Sequence, residues 1–324
     1  MPTNSDSVAS AYRYCERLAR RNRPYLYQVA RYFQDREKYR AFCSTYASMR
    51  IIDDEIDSIP WRGRLSGSQR KRYISEVQNW LKKVIACQDG SSKRTPIFLA
   101  LEDTFQKFAM PLFPWENLAQ AMQKDVGKDS FATFREFLDY AEGAAIAPAT
   151  VFMFLLTAKR DDTGYFWEYP PGQIYAFAKK LALFCYLTHI IRDVSSDLRL
   201  SQSGLLYISE QDLKKFGLTK TDLNDFRRKK TVNGNFQKLA ARYVARARSY
   251  QARGKRLLRN LNPNLEDDSR FALKLLLEFY SETLKKIVRL GYNVFSGRER
   301  LTLAEERKLT RRIARQCGFR LRNV

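Results

Sequence analysis

The sequence predicts an all-α protein, and three observations carry that reading. Apolar residues recur at three- and four-residue spacing through most of the 324 residues, and strict alternation is scarce. Glycine (14) and proline (10) are sparse and fall between the periodic stretches. Hydrophobic residues make up 44% of the chain and aromatics 13%, enough for a sizeable core. In order, residues 11–32 read as a helix plus a turn, and 36–58 as a helix ending before Pro60. Shorter helices follow at 68–87, 95–109, 115–126, 130–143 and 147–159. The punctuation "WEYPPGQ" at 167–173 opens a long apolar helix at 172–199. After the polar loop "SQSGLLYI", helices are expected at 210–215, 219–228, 233–260 and 267–291. The polar segment 57–70 reads as a mobile loop. No stretch has linker composition and none repeats, so one domain over residues 1–324 is expected, with a basic tail from about residue 298.

Composition narrows the function. With 58 Lys+Arg against 35 Asp+Glu, the formal charge is +23, which points to an anionic partner. No zinc finger, RNP motif or helix-turn-helix is recognisable, so nucleic acid is not expected. The five cysteines lack C-x-x-C or zinc-ligand spacing and read as reduced thiols of a cytoplasmic protein. The single histidine, His189, argues against His-rich metal sites and His-based triads. No apolar run reaches the ~18 residues of a membrane span, and the start has no signal-peptide core. The basic tail "RERLTLAEERKLTRRIARQCGFRLRNV" suits either a solvated helix or peripheral contact with an anionic membrane.

Against this basic background, "IIDDEID" at 51–57 gathers four acids beside isoleucines. On a helix Asp53 and Asp57 share a face, where like charges repel unless a cation compensates. A second stretch, "YLTHIIRDVSSDLRL" at 186–200, sets His189, Asp193 and Asp197 at i, i+4 and i+8. Arg50 stands three residues before Asp53 and Arg192 directly before Asp193, each a guanidinium suited to oxyanions. One such acidic pair is commonly surface decoration. Two, each in an apolar helix beside an arginine, are far less common by chance; if the two helices face one another, four carboxylates line one cavity. Oxygen-only ligands suit Mg²⁺, which commonly bridges one or two carboxylates to a phosphate. A clamped diphosphate is the leaving group that ionisation of an allylic diphosphate requires.

With these motifs the chain resembles the squalene/phytoene synthase family, the head-to-head branch of the all-helical isoprenoid synthases. "YASMRIIDDEID" is similar to the first family motif and "THIIRDVSSD" to the second. "LLYISEQDLKKFGL", "FLDYAEGAAIAPATVF" and "FYSETLKKIVRLGYNVFSGRERLT" are similar to three further segments, and the likeness covers roughly residues 20 to 300. The resemblance implies an isoprenoid-synthase helical bundle around a central hydrophobic tunnel. It implies two or three Mg²⁺ ions held by Asp53, Asp57, Asp193 and Asp197 and bridging to a prenyl diphosphate substrate. Arg50 and Arg192 match diphosphate-binding or motif-supporting arginines. Tyr46 and Tyr140 match aromatics near the diphosphates and the cationic intermediate, and Tyr207 the tyrosine after the second motif. Tyr46, Tyr140 and Phe184 are expected to shield the cation.

Four departures stand out. His189 replaces an asparagine that helps ligate a metal in the family, and neutral imidazole is a poor Mg²⁺ ligand. It is either a hydrogen-bonding core residue or a residue lining the site, and its spacing favours the site. Ser196 replaces a glutamate, and Leu205 replaces an arginine. Ile146, Pro148 and Ala149 replace small residues of a tunnel helix that Pro148 is expected to kink or break. The leading expectation is head-to-head condensation of two farnesyl or geranylgeranyl diphosphates, through a cyclopropyl diphosphate, to a C30 or C40 product such as squalene or phytoene. The alternatives are a terpene synthase that cyclises or hydrolyses one prenyl diphosphate, and a non-catalytic assembly factor. Reduction to squalene would need NADPH. No G-x-G-x-x-G fingerprint is present, but squalene synthases lack a Rossmann domain too, so this decides nothing.

Overall fold

Helix boundaries follow local chemistry in the computed structural model, which describes residues 4–21, 23–59, 65–91, 95–200 and 206–321. In place of one helix over 11–32 there are two, α1 (Asn4–Arg21) and α2 (Tyr25–Ala30). Pro24 disfavours helical backbone at the preceding residue, and Arg23 turns to φ 43°. The α3 helix (Arg36–Asp57) starts where the Asp35 carboxylate accepts from the Glu37 and Lys38 amides at 2.8 and 3.4 Å. A Ser66–Gln69 capping box starts α4 (Gly67–Gln88). Proline stands in the first turn of both α5 (Pro96–Phe108) and α6 (Phe113–Asp125).

The segment around Pro148 differs from expectation. After α7 (Phe134–Ala141) the chain runs through a π turn, Glu142–Ile146, straight into α8 (Ala147–Thr157). Pro148 falls in the first turn of α8, so the helix is locally re-wound rather than broken. Gly143 brings the π turn against α6: a Cβ there would lie 2.1 Å from the Asn117 carbonyl oxygen. Beyond Thr157 the expected helix gives way to a hairpin. Strand β1 (Lys159–Asp161) pairs antiparallel with β2 (Gly164–Phe166). The Asp161 carboxylate accepts from Thr163 N and Oγ1 at 2.8 and 2.7 Å, and Gly164 takes φ 130°. This hairpin is the only sheet among the described residues.

The long helix α9 (Pro171–Leu200) forms the centre of the bundle and packs on α8, α12 (Gly234–Leu261) and α13 (Asp267–Arg289). Two segments, Phe134–Thr157 and Pro171–Leu198, are long and apolar enough to cross a membrane, which the sequence reading missed. In the bundle 72% and 61% of those windows are buried, so their apolarity serves the core. Two short helices, α10 (Glu210–Lys215) and α11 (Lys220–Lys229), lead into α12. Buried Asp212 ties α10 to α12 by pairing with Arg246 at 2.6 Å and Arg242 at 3.1 Å. The basic segment from about residue 298 is described as far as residue 321. Its helix α14 (Leu303–Cys317) packs on α13, buries Leu309 and Ile313, and ends with Phe319 stacked on Phe271 at 4.4 Å.

Candidate active site

Helices α3 and α9 turn their acids into one cavity of about 710 Å³. On α9 the lining residues include Ala178, Leu181, Ala182, Cys185, His189, Arg192, Asp193 and Asp197. These recur every three or four residues over 19 positions, about 28 Å of one helix face. That face is apolar at its N-terminal end and charged at its C-terminal end. On α3 the lining residues Tyr46, Arg50, Asp53 and Asp57 repeat the same order. Ala144, Pro148, Ala149, Phe152 and Met153 line the wall between them, while Ile146 packs in the core.

Each acidic helix carries its arginine as the spacing predicts, but the pairings differ. Arg50 donates to Asp53 at 2.8 Å and pairs also with Asp54, while its buried Nε has no partner among the described residues. Arg192, 7% exposed, grips Asp193 through Nε at 2.9 Å and a terminal nitrogen at 2.5 Å. His189 Nε2 lies 3.0 Å from the second Asp193 oxygen, and its Nδ1 accepts from Arg192 at 3.3 Å. A third cation, Arg300, comes from the segment between α13 and α14 and contacts Asp193 and Ser196 Oγ.

Electrostatics follows from these contacts. Burial, then the charge of Asp57, pushes Asp53 up to about 7 despite Arg50. Burial with the charges of Asp193 and Asp57 pushes Asp197 up to about 8. Asp193 is buried too, yet His189, Arg192 and Arg300 hold it below the ordinary carboxylate range. Although 47% of its side chain faces the open cavity, desolvation by the surrounding walls and the charges of Arg192, Arg300 and Arg50 hold His189 at about 4, so its ring is neutral at physiological pH. Thus Asp53 and Asp197 are carboxylates that hold their charge only against repulsion.

That pattern fits an added cation. No three His, Cys, Asp or Glu side chains converge at metal-ligand spacing among the described residues. The acids instead stand as pairs on two walls. An all-oxygen pair suits Mg²⁺, which takes one or two carboxylates and completes its shell with water and phosphate.

The aromatics divide. Tyr46 lines the cavity, and burial pushes its hydroxyl up to about 12. Tyr140 and Tyr207 line it as well, with the Tyr140 hydroxyl donating to Asp125 at 2.8 Å. Phe184 does not: it is fully buried and falls outside the cavity-facing stripe of α9, with its ring 6.5 Å from that of Tyr280. Leu181 stands at the edge of the stripe, and a residue three positions on is rotated a further 60° about the helix, beyond that edge. Leu205 lies outside the described residues. Sequence reasoning missed Arg300, Tyr280, Tyr25 and Phe152, all of which line the cavity. Arg300 and Tyr280 fell inside a segment matched to the family, but no local pattern marked them.

Residues 13–307 match the squalene/phytoene synthase family. The chain belongs to that family. It is therefore an enzyme of the prenyltransferase class. Among relatives, it is 24% identical over 263 residues to a phytoene synthase of Arthrospira platensis, covering 81% of this chain and 79% of the relative. It is 25% identical over 302 residues to a 15-cis-phytoene synthase of Synechocystis sp., covering 90% and 81%. Among solved structures, a ligand-bound dehydrosqualene synthase superimposes with a TM-score of 0.77 at 20% identity, covering 98% of this chain and 99% of that one. The all-helical isoprenoid-synthase fold is thereby shown.

Proposed function

We propose that the enzyme joins two molecules of one allylic prenyl diphosphate, C15 or C20, head to head into a C30 or C40 isoprenoid. The observation that carries this reading is a single cavity lined by both acidic pairs, by Arg50, Arg192 and Arg300 beside them, and by an apolar wall. Arg50, Arg192 and Arg300, all of which line the cavity, would hold diphosphate oxygens. Asp53, Asp57, Asp193 and Asp197 would hold Mg²⁺. When bound, Mg²⁺ supplies charge neutralisation for the departing diphosphate. The C1–O bond of one substrate breaks, and its C1 is attacked by the double bond of the second. Loss of a proton closes a cyclopropane; in the rearrangement that follows the second diphosphate leaves, and the resulting cation loses a second proton to give the neutral C30 or C40 product. Tyr46, Tyr140 and Tyr280 line the cavity and would exclude water from the cation. The enzyme is proposed to act in the cytoplasm, at a membrane surface that takes up its product.

The test is incubation with farnesyl or geranylgeranyl diphosphate, with Mg²⁺ or chelator. Gas chromatography of the extract and a diphosphate assay are the readouts. A C30 or C40 product with two diphosphates released per product, lost with chelator, is expected. A C15 or C20 alcohol or cyclic product, with one diphosphate per substrate, would show the single-substrate terpene synthase instead. No release of diphosphate from either substrate with Mg²⁺ would overturn the proposed reaction.

A further inference from the structure

Three large apolar side chains are exposed among the described residues: Tyr14 (39%), Phe166 (39%) and Leu303 (51%). Two of them border one continuous face. Leu303 lines the mouth of the cavity. Tyr14 lines a groove on α1 with Arg17, Arg20, Arg21 and Arg23. Arg23 lines both groove and cavity, so the two meet there. Arg13, Arg17, Arg20 and Arg21 are exposed and spaced at i, i+4, i+7 and i+8, a single stripe along α1. None of the four pairs with a carboxylate among the described residues. The one acid between Ser7 and Arg21, Glu16, accepts instead from the Tyr39 hydroxyl at 2.8 Å.

We propose that this α1 face, together with Leu303, docks the cavity mouth on an anionic lipid bilayer. Unpaired arginines complement anionic headgroups and can extend their stems along apolar surface. An aromatic ring suits the headgroup level, and a leucine the acyl boundary beneath it. The arrangement opens an apolar cavity toward a lipid phase, which a hydrocarbon product needs because water does not dissolve it. The proposal moves most of the membrane contact to the N-terminal helix; of the C-terminal segment, whose helix is docked on α13, it keeps only Leu303. Another basic surface supplies a control. Lys238, Arg248, Lys255 and Arg256 of α12 are equally exposed, but none lines the cavity.

The experiment is co-sedimentation of the full chain with vesicles of phosphatidylcholine, with or without phosphatidylglycerol. Binding is expected only with phosphatidylglycerol and should weaken as salt rises. The R13S/R17S/R20S/R21S variant should partition several hundred-fold less, at about five-fold per charge. The α12 control K238S/R248S/K255S/R256S should stay within about five-fold of the native chain. Leu303→Ser should lose about ten-fold without any change in charge. Thermal melts check that each variant is folded, which their exposure favours. Equal losses for the α1 and α12 variants, equal binding to both vesicle types, or no binding to either would overturn the proposal. The docking serves the proposed reaction only by receiving its product, and sedimentation requires no turnover. A chain that binds vesicles but makes no C30 or C40 product would therefore refute the reaction alone.

Discussion

On α3, Arg50 reaches Asp53 and Asp54 along its own helix and leaves Asp53 pushed up to about 7. On α9, Asp193 is held from three directions, by Arg192, His189 and Arg300, and stays below the ordinary range. The two motifs look alike as strings, each an arginine near an i,i+4 acid pair. In the fold one acid is already committed to the protein's own cations, while Asp53 and Asp197 remain repelled. A buried carboxylate with a buried guanidinium is a structural unit, and a repelled carboxylate is a store of unfavourable energy that a bound cation relieves.

The largest expected effect tests whether both motifs serve turnover. Asp53→Asn and Asp193→Asn should each lower kcat by at least about 10³-fold, the order lost when charge stabilisation of a transition state is removed. Near-native activity of either variant at saturating Mg²⁺ would remove that residue from the proposed machinery.

Stability should then separate the two variants. The sequence alone leads one to expect that either substitution relieves repulsion at little cost. The structure corrects this for Asp193, which is 4% exposed and faces Arg192 at 7%. Removing its charge leaves a buried guanidinium uncompensated, a loss of about 3 kcal/mol or more and a Tm lower by roughly 6 °C or more. Asp53 is 36% exposed to the cavity, so the repulsion it relieves is discounted for solvent. Its amide should raise the metal-free Tm by about 2 °C, for roughly 1 kcal/mol gained. Equal melting shifts of the same sign in calorimetry would contradict the contrast between α3 and α9.

How much of this contrast was legible beforehand depends on the range of the interactions. The helical fold and both acid stripes could be read because a 3.6-residue period is local. The Arg50–Asp53 pair could be read for the same reason. Arg300 reaches Asp193 across 107 positions, and no periodicity encodes such a contact. Phe184 was misplaced by one step around a helix, a resolution that apolar content alone cannot supply. Pro148 was expected to disturb its helix. Its accommodation depends on the π turn and on the close approach of Gly143 to α6, which are tertiary facts. The hairpin after Thr157 was signalled by "DDTG" but hidden among helices.

A pH titration of the metal-free protein sharpens the comparison. Burial and the neighbouring acids push Asp53 and Asp197 in the folded protein well above the ordinary carboxylate value, toward about 7 and about 8, against about 3.9 unfolded. Between those values the folded state binds more protons, so stability falls as pH rises from about 4 to 8. Asp193 works in the opposite sense: its contribution is present above the unfolded value and is lost as pH falls through its folded one. In chelator the Tm should therefore be lower at pH 8 than at pH 5.5, and Mg²⁺ should narrow the gap. The Asp53→Asn variant should show a shallower slope. A Tm that rises over this interval in chelator would reverse the assignment.

The smallest effect concerns His189, the residue that joins the two halves of the α9 network. It lines the cavity on the same stripe as Asp193 and Asp197, as its spacing predicts. Arg192 can only donate, so Nδ1 accepts and Nε2 carries the proton toward Asp193. Desolvation by the surrounding walls and the nearby arginines hold the ring at about 4, so it enters turnover at neutral pH as a fixed neutral donor. An asparagine keeps an N–H donor for Asp193 and offers the cavity a carbonyl oxygen, which suits Mg²⁺ better than imidazole. His189→Asn should therefore hold activity within about five-fold of native, with an equal or lower Mg²⁺ requirement. Loss of one hydrogen bond, about 1 kcal/mol, should cost roughly 2 °C in Tm. Because the ring does not titrate near neutrality, the pH–rate profiles of native and variant should superimpose around 6.5, the ordinary histidine value. A limb near that pH, present in the native enzyme and absent from the variant, would show that His189 exchanges a proton during turnover, and the fixed-donor role would fall.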